Sequence, residues 1–269
     1  MTNIIISRKG FDSGAGGCAS PILPDGRTAV PLPIPDDTSS KWDYDGLIEQ
    51  TTGLSYRQLI KELRPKCAKD LKHCHLDPDI NPNLHPEDGW VPIFGQEGGA
   101  EGILEKYGVE VGDIFLYFGW YKSTVEHDGS IRYANKRDGL DFYHCSDIHM
   151  LFGHLKVKEV VRDPDEMRER FSWHPHAERH RLFCNNTMYV GDRESSGVLP
   201  FDEKRVLTRK GCTRSKWDAD MLGWMRGDMD RMSMQPVFSG ETVHFRGRWQ
   251  ELVIRDASDE CLDWVEEMI

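Results

Sequence analysis

The amino-acid sequence predicts an α+β fold, in which a single domain is built from a mixed, partly barrel-like sheet and peripheral helices. Helix-like and strand-like segments follow one another without a regular strand–helix–strand alternation, which favours α+β over a parallel α/β sheet. The chain has 269 residues, of which 38% are hydrophobic, and no linker-like segment divides it. That length is sufficient for one large domain, so we expect a single domain over residues 1–269.

The first part of the chain predicts a strand, an extended segment and two helices. The apolar, β-branched run at residues 4–6 predicts a short buried strand over residues 3–7. Residues 20–37 contain five prolines and predict an extended segment that lies over the surface, because proline lacks an amide donor. Ser55 and Gln58 form a capping-box pattern at the start of a helix, and a second helix is expected over residues 98–106.

The rest of the chain predicts more strands and two capped helices. Short apolar runs predict strands at residues 114–118, 148–161, 187–190 and 251–254. A polar loop is expected at residues 123–141. Asp163, followed by a proline, and Ser258, followed by two acidic residues, predict the starts of two helices.

Two segments indicate that part of the sheet is barrel-like. The turn at residues 112–113 leads into a strongly hydrophobic strand. Residues 152–157, which lie in a later predicted strand, are the second segment. Barrels of the PUA and ASCH type, which read RNA or modified bases, are similar in this stretch. The sequence therefore predicts a small mixed barrel.

The charge balance argues against one class of function. The formal net charge of −11 is unfavourable for a protein that coats nucleic acid nonspecifically, because neutralisation of phosphates supplies most of that affinity. A local basic groove is still compatible with this charge, and the cations of residues 204–216 are the candidate for it. A solvated loop is the alternative interpretation of that stretch.

The sequence predicts a cytoplasmic protein that does not associate with membranes. The amino-terminal residues lack the pattern of a signal peptide, and no apolar run approaches the length that spans a bilayer. The seven cysteines are scattered without a CxxC pair. They are therefore interpreted as free thiols, as expected in a reducing compartment.

The first candidate site follows the predicted strand at residues 3–7. Ser7, Arg8, Lys9 and Asp12 combine a hydroxyl, two cations and a carboxylate beside several glycines. Such a loop can cradle a phosphate with its backbone amides and its cations. We therefore predict that Ser7, Arg8 and Lys9 bind the substrate's phosphate, while Asp12 orients it or acts as a base; a solvated loop is the alternative.

The second candidate site is the His75-x-Asp77-x-Asp79 pattern. In an extended segment, alternate side chains face the same side, and the proline after Asp77 disfavours a helix there. One imidazole and two carboxylates suit Fe²⁺, Mn²⁺ or Zn²⁺, or an acid–base pair. The alternative is a turn in which the two aspartates bind nearby amides.

The third candidate site contains two histidines, His174 and His176, separated by a proline, with Asn186 nearby in sequence. Combined with His75 and Asp77, a later histidine gives the order of a two-histidine, one-carboxylate metal site. Fe(II)/2-oxoglutarate oxygenases use this order, although the chain lacks a double-stranded β-helix rhythm. We predict His75, Asp77 and His174 as metal ligands, and His176, Asp12 and Asp79 as catalytic residues.

Two further residues complete the predicted site. Gln96 precedes glycines that open a helix, where free amides attract anions. Trp120 lies at the end of a strand, where its ring could stack on a base. We assign Gln96, Trp120 and Asn186 to substrate binding, with packing of the aromatic core as the alternative for Trp120.

Several of these motifs resemble a known family. They lie at residues 7–12, 20–26, 32–36, 75–79, 94–96, 112–120, 174–176 and 186–190. In this order they resemble the nucleotide modification associated domain family, third numbered type, over nearly the whole chain. The resemblance implies a link to systems that modify nucleic-acid bases, including DNA, without specifying a reaction.

Three functions remain open from the sequence. The first is an enzyme, metal-dependent or not, that acts on a nucleotide or a nucleic-acid base. The second is a non-catalytic reader of modified bases, built on the barrel-like sheet. The third is a metalloenzyme that acts on a small molecule or peptide. The density of ionisable residues in the motifs favours the enzyme.

Overall fold

The computed structural model describes residues 1–36, 40–84, 89–181, 184–247 and 249–269, without the side chains of residues 178, 180 and 181. Its strands are β1 (Ile4–Arg8), β2 (Ser20–Ile22), β3 (Ile34–Pro35), β4 (Cys74–His75), β5 (Ile93–Gln96), β6 (Ile114–His127), β7 (Ser130–Tyr133), β8 (Ile148–Val161), β9 (Thr187–Val198), β10 (Trp217–Asp218), β11 (Val237–Ser239), β12 (Thr242–His244) and β13 (Glu251–Ile254). Its α-helices are α1 (Tyr56–Leu63), α2 (Gly98–Lys106), α3 (Phe142–Cys145), α4 (Pro164–Phe171) and α5 (Asp259–Met268).

Eight of the strands form one curled, mixed sheet. Its order is β13-β1-β6-β8-β9-β5, and β2 and β7 also pair with β6. The β1–β6 and β2–β6 pairs are parallel, whereas the other pairs are antiparallel. The sheet curls into a half-barrel within a single domain, which confirms the α+β prediction.

Strand β1 lies between β13 and β6 in this sheet and is buried on both faces. Ile5 packs with Phe115 inside the half-barrel, whereas Ile4 and Ile6 pack on the outer face against a cluster that includes Trp264 of α5. Because both faces are covered, residues 4–6 of the strand are apolar at consecutive positions, not at alternate ones. This explains the uniformly apolar run by which the sequence predicted β1.

The helix starts predicted from capping patterns are confirmed. The Ser55 side chain accepts a hydrogen bond from the Gln58 amide, and the Gln58 side chain accepts one from the Ser55 amide. Asp163 caps α4 and Ser258 caps α5 in the same way, through their side-chain oxygens. These contacts span only a few residues, so the local sequence is sufficient to specify them.

Two predicted segments differ from the structure. Residues 20–36 do not lie over the surface, because Ile22 and Leu32 are completely buried and β2 pairs with β6. The predicted loop at residues 123–141 begins as a hairpin, in which β6 continues to His127 and pairs with β7. Proline is compatible with a short strand such as β2, which pairs with a single neighbouring strand of the sheet. The hairpin was not recognised because its residues are largely polar and lack an apolar run.

The fold brings chain segments that are distant in sequence to one edge of the half-barrel. Strands β1 and β6 are parallel, so the loop after Arg8 lies beside Phe118 and the residues that follow it. The same edge contains β4, which pairs with β3, and β5, which pairs with β9. No α-helix in the described ranges is both long and apolar enough to cross a membrane.

Candidate metal centre

His75 is fixed by the small β3–β4 pair. The backbone of His75 pairs with Ile34, and this register brings Asp36, two residues beyond Ile34, next to the imidazole. The His75 Nδ1 lies 3.0 Å from Asp36 Oδ2. Since a carboxylate accepts hydrogen bonds, Nδ1 carries the proton and the His75 Nε2 lone pair is free to bind a cation.

His176 is oriented in a similar way by Asn186. The histidine lies in the 3₁₀ helix Pro175–Arg181, and Asn186 directly precedes β9. The His176 Nδ1 lies 2.6 Å from Asn186 Oδ1, and the Asn186 amide donates to the His176 carbonyl at 2.8 Å. With its amide nitrogen committed as a donor, Asn186 presents its oxygen to the ring. His176 therefore also carries its proton on Nδ1.

The two unprotonated nitrogens face each other. His75 Nε2 and His176 Nε2 are 3.2 Å apart, and Asp77 Oδ2 lies 3.9 Å from His75 Nε2. One ligand atom from each of His75, Asp77 and His176 lies within 4.8 Å of the others. The Asp77 side chain is 4% exposed, so two lone pairs and a carboxylate converge in a space largely closed to solvent.

Asp77 is held by a strand and by a third histidine. Its Oδ1 accepts a hydrogen bond of 2.7 Å from the Gly95 amide of β5. His174 Nδ1 accepts from the His176 amide, so His174 Nε2 carries a proton, and it lies 3.4 Å from Asp77 Oδ1. His174 therefore faces Asp77 Oδ1, whereas Asp77 Oδ2 is the oxygen nearer to His75. The histidine that lies beside His75 is His176.

The protonation states suit cation binding. Burial lowers the pKa of His75 and that of His176, which favours neutral imidazoles. Burial alone would raise the pKa of Asp77, but the His174 Nε2–H group, which faces Asp77 Oδ1 at 3.4 Å, outweighs it and keeps that pKa below its usual range. The group thus combines neutral imidazoles with an ionised carboxylate, the forms that bind metals.

Arg179 compensates the charges around the histidines. Its Nη2 lies 2.7 Å from Asp36 Oδ2, and its Nη1 forms an ion pair with Glu97. The guanidinium therefore bridges the carboxylate that orients His75 and a second carboxylate at the start of α2. The sequence analysis did not single out Asp36, Glu97 or Arg179, although Asp36 lies inside one of the family motifs.

A cavity of ≈ 370 Å³ opens beside the three candidate ligands. Its lining also includes Arg8, Lys9, Asp12, Gln96, Glu97 and Arg179. The size lies within the range of small-molecule sites, and the predicted phosphate-binding loop and the predicted metal site share this one cavity. The structure thus brings together the first, second and third candidate sites.

A buried glutamate at the wall of the half-barrel was missed by the sequence analysis. Glu251 is 1% exposed, and its Oε1 lies 3.0 Å from Lys9 Nζ and 2.5 Å from Gln96 Nε2. Gln96 thereby links β5 to β13 across the opening of the sheet. The available signal was the charged residue at the start of an otherwise apolar strand, which predicts a paired carboxylate.

Five of the predicted site residues lie outside this cavity lining. Two of them, His174 and Asn186, still contact Asp77 and His176 of the centre, whereas the other three do not join it. The Asp79 side chain accepts a hydrogen bond of 3.0 Å from the Trp90 indole. Ser7 is completely buried in the sheet. Trp120 lines a second cavity, where its indole donates to Asp147 at 2.7 Å. Asp79 does not join His75 and Asp77, because a β-bridge between its backbone and Ile93 fixes the direction of its side chain.

The comparisons with known proteins give one match. The sequence model of a protein family described as "nucleotide modification associated domain 3" matches residues 3–255. No curated protein and no solved structure is similar to the chain in the same comparisons. The matched range includes every residue of the candidate metal centre.

Proposed function

The chain belongs to the nucleotide modification associated domain 3 family, and from this premise we propose that it is a metal-dependent enzyme that acts on a nucleotide or a nucleic-acid base. The family name associates the chain with nucleotide modification, while the metal and the catalytic role are our inference from the site. The cavity beside the histidines would take the substrate, and the cations at its wall would take a phosphate.

The 3.2 Å approach of His75 Nε2 and His176 Nε2 carries the proposal. Asp36 and Asn186 hold both protons on Nδ1, so no proton lies between the two lone pairs and they repel each other. His75, Asp77 and His176 would hold a divalent cation here, whose positive charge would offset this repulsion. Two imidazoles and one carboxylate are a common ligand set for Fe²⁺, Mn²⁺ and Zn²⁺.

The protein's own residues would position the substrate. A bound divalent cation would supply Lewis-acid chemistry at the cavity. Arg8 lines the same cavity with a side chain that is 31% exposed and paired loosely with Asp12 at 3.5 Å, so it can turn to a phosphate. The charge of Lys9 is already matched by Glu251, which makes Arg8 the stronger phosphate ligand of the two.

The proposal is tested by elemental analysis of untagged protein. We expect near-stoichiometric iron, manganese or zinc in the wild type and a metal content close to zero in His75→Ala and His176→Ala. His127→Ala is the matched control, because it removes an exposed imidazole from the β6–β7 hairpin and should retain the metal. Circular dichroism of each variant would establish that metal loss is not caused by unfolding.

Metal-loaded protein should also alter a nucleotide. We expect mass spectrometry to detect a changed base or nucleotide after incubation with nucleoside monophosphates and oligonucleotides, and no change with His176→Ala. A wild type that contains no metal and cannot be loaded would refute the metal centre. If such a protein still bound nucleic acid, a non-catalytic reader of bases would become the better account.

A further inference from the structure

A second and larger cavity adjoins the candidate metal centre. Its volume is ≈ 700 Å³, and Arg8, Lys9 and Asp12 line both this cavity and the first one. The two spaces therefore lie on either side of the loop that follows β1. Each falls within the size range of a site for one small molecule, about 300–1,000 Å³, so together they provide room for two linked groups.

The second cavity has an excess of positive charge. Its lining carboxylates are already engaged: Asp12 accepts from the amides of the turn that follows it, and Asp147 accepts from Trp120 and Lys122. Lys136 and Arg214 also line the cavity, and neither has a carboxylate partner among the side chains that the structure describes. In a protein of net charge −11, this local excess favours an anionic ligand.

Trp120 and Arg214 are in cation–π contact in the wall of the cavity. The Arg214 guanidinium lies 4.2 Å from the centre of the Trp120 ring, and its Nη2 donates to Ser13 Oγ at 3.1 Å. The indole itself is fixed by its hydrogen bond to Asp147. Unpaired bases stack on aromatic rings and on guanidinium planes, and arginine also binds phosphate.

Arg214 is distinguished from its neighbours in the basic stretch at residues 204–216. Arg209 of the same stretch is bound by Asp218, Asp220 and Glu241, away from the cavity. Arg214 is directed inward because the loop folds back, with its carbonyl accepting from Thr208 Oγ1 at 2.9 Å. Other cations of the stretch are used in packing, since Lys204 and Arg205 donate to backbone carbonyls of residues 267 and 268, whereas Arg214 lines the cavity.

We propose that the second cavity binds the nucleotide next to the one at the metal centre, so that the substrate is an unpaired stretch of nucleic acid and not a free nucleotide. This inference rests on the proposed function, which places the reacting nucleotide in the first cavity. The neighbouring base stacks at Trp120 and Arg214, and the phosphate between the two nucleotides lies near Arg8, which lines both cavities. Lys136 contacts the next phosphate.

The test compares ligands of different length by fluorescence anisotropy and competition. The probes are mixed-sequence single strands of DNA and of RNA about ten nucleotides long, the corresponding duplexes, and the nucleoside monophosphates. We expect a single strand to bind at least about tenfold more tightly than a monophosphate, because stacking and phosphate contacts add to the affinity. The DNA and RNA strands show which sugar the cavity prefers.

The variants separate the second cavity from the first. Arg214→Ala and Trp120→Ala should each weaken binding of the single strand about tenfold and leave monophosphate binding unchanged. Arg209→Ala, in the same basic stretch but outside the cavity, should leave both unchanged. Monophosphates that bind as tightly as single strands, with no effect of Arg214→Ala, would refute the second cavity and leave the proposed function intact. A protein that binds neither ligand would refute both.

Discussion

The ring of His176 is constrained by contacts from three parts of the chain, and each contact fixes one of its properties. Asn186 sets the tautomer, and His75 and Asp77 define the space that Nε2 faces. Gly95 allows the ring to approach β5 closely. Metal-binding histidines are usually held by such a second partner on the other ring nitrogen, so Asn186 is a positioning residue and not a ligand.

Asn186→Ala tests this role of the amide. The change leaves all three candidate ligands in place but removes the acceptor at His176 Nδ1, so the ring can rotate or change tautomer. We expect metal affinity to fall about 10–100-fold, measured by competition with a chelating dye. Asn185→Ala is the neighbouring control, because the Asn185 side chain bonds to the backbone of Gly98 and not to a candidate ligand among the described residues, so this variant should retain the affinity. Equal affinities in Asn186→Ala and wild type would show that Asn186 does not orient the ring.

Strand β5 supplies the wall against which the metal centre is built. Its Gly95 amide donates to Asp77, and Gln96 one residue later reaches Glu251 on the opposite edge of the sheet. A Cβ atom added at Gly95 would lie 2.2 Å from the Cγ and Cδ2 atoms of His176. The absence of a side chain at position 95 is therefore what allows His176 to enter the group.

Gly95→Ala should expel the His176 ring from the centre. Because the ring cannot remain in place, we expect loss of the metal and a decrease of about 1–3 kcal/mol in the free energy of unfolding. Gly102→Ala in α2 is the control, since an added Cβ there meets no atom within 4 Å. That change should keep the metal and raise stability by up to about 1 kcal/mol. Urea unfolding and metal content together report both effects, and a Gly95→Ala protein with full metal content would contradict the packing argument.

The second cavity does not share the negative charge of the whole molecule. The net charge is −11, yet Arg8, Lys136 and Arg214 line the second cavity while its carboxylates are engaged in hydrogen bonds. The protein as a whole repels a polyanion, whereas the cavity attracts one. Nucleic acid therefore binds only where a strand reaches the cavity. The charge balance thus suits a selective site better than a nonspecific coat.

The pH dependence of global stability is expected to depend on Glu101, which connects α2 to the sheet. Glu101 is 1% exposed, and the Tyr189 hydroxyl lies 3.1 Å from both of its oxygens. Burial raises the pKa of Glu101 from its ordinary 4.5 to about 7. Because folding favours the protonated form, this stabilisation is complete below pH 4.5 and is lost as the pH rises through about 7.

Glu101→Gln should abolish this loss of stability at higher pH. The free energy of unfolding of the wild type should fall by on the order of 3 kcal/mol between about pH 4 and about pH 8, relative to the variant. Glutamine keeps an acceptor for Tyr189 but does not titrate. Glu105→Gln, an exposed position on the same helix, should retain the wild-type pH dependence. Parallel urea titrations at the two pH values would contradict the prediction if wild type and Glu101→Gln differed by the same amount at both.

The sequence by itself determined the features that depend on neighbouring residues. The capped helices α1, α4 and α5 and the apolar strand β1 were predictable because caps and burial patterns span a few residues. The two histidine motifs were recognisable for the same reason, since spacing within a short segment limits which side chains can converge. The family resemblance extended this information along the chain without locating the contacts between motifs.

Only the tertiary structure decided how the motifs meet. His75 and His176 are 101 positions apart, and Gln96 and Glu251 are 155 apart, so their contacts follow from how the half-barrel curls and not from spacing. The same packing put His176 in the place expected for His174, turned Asp79 to Trp90, and brought Arg214 to Trp120. Such choices depend on long-range pairing and shape, because a side chain's direction within a loop is set by the elements packed against it.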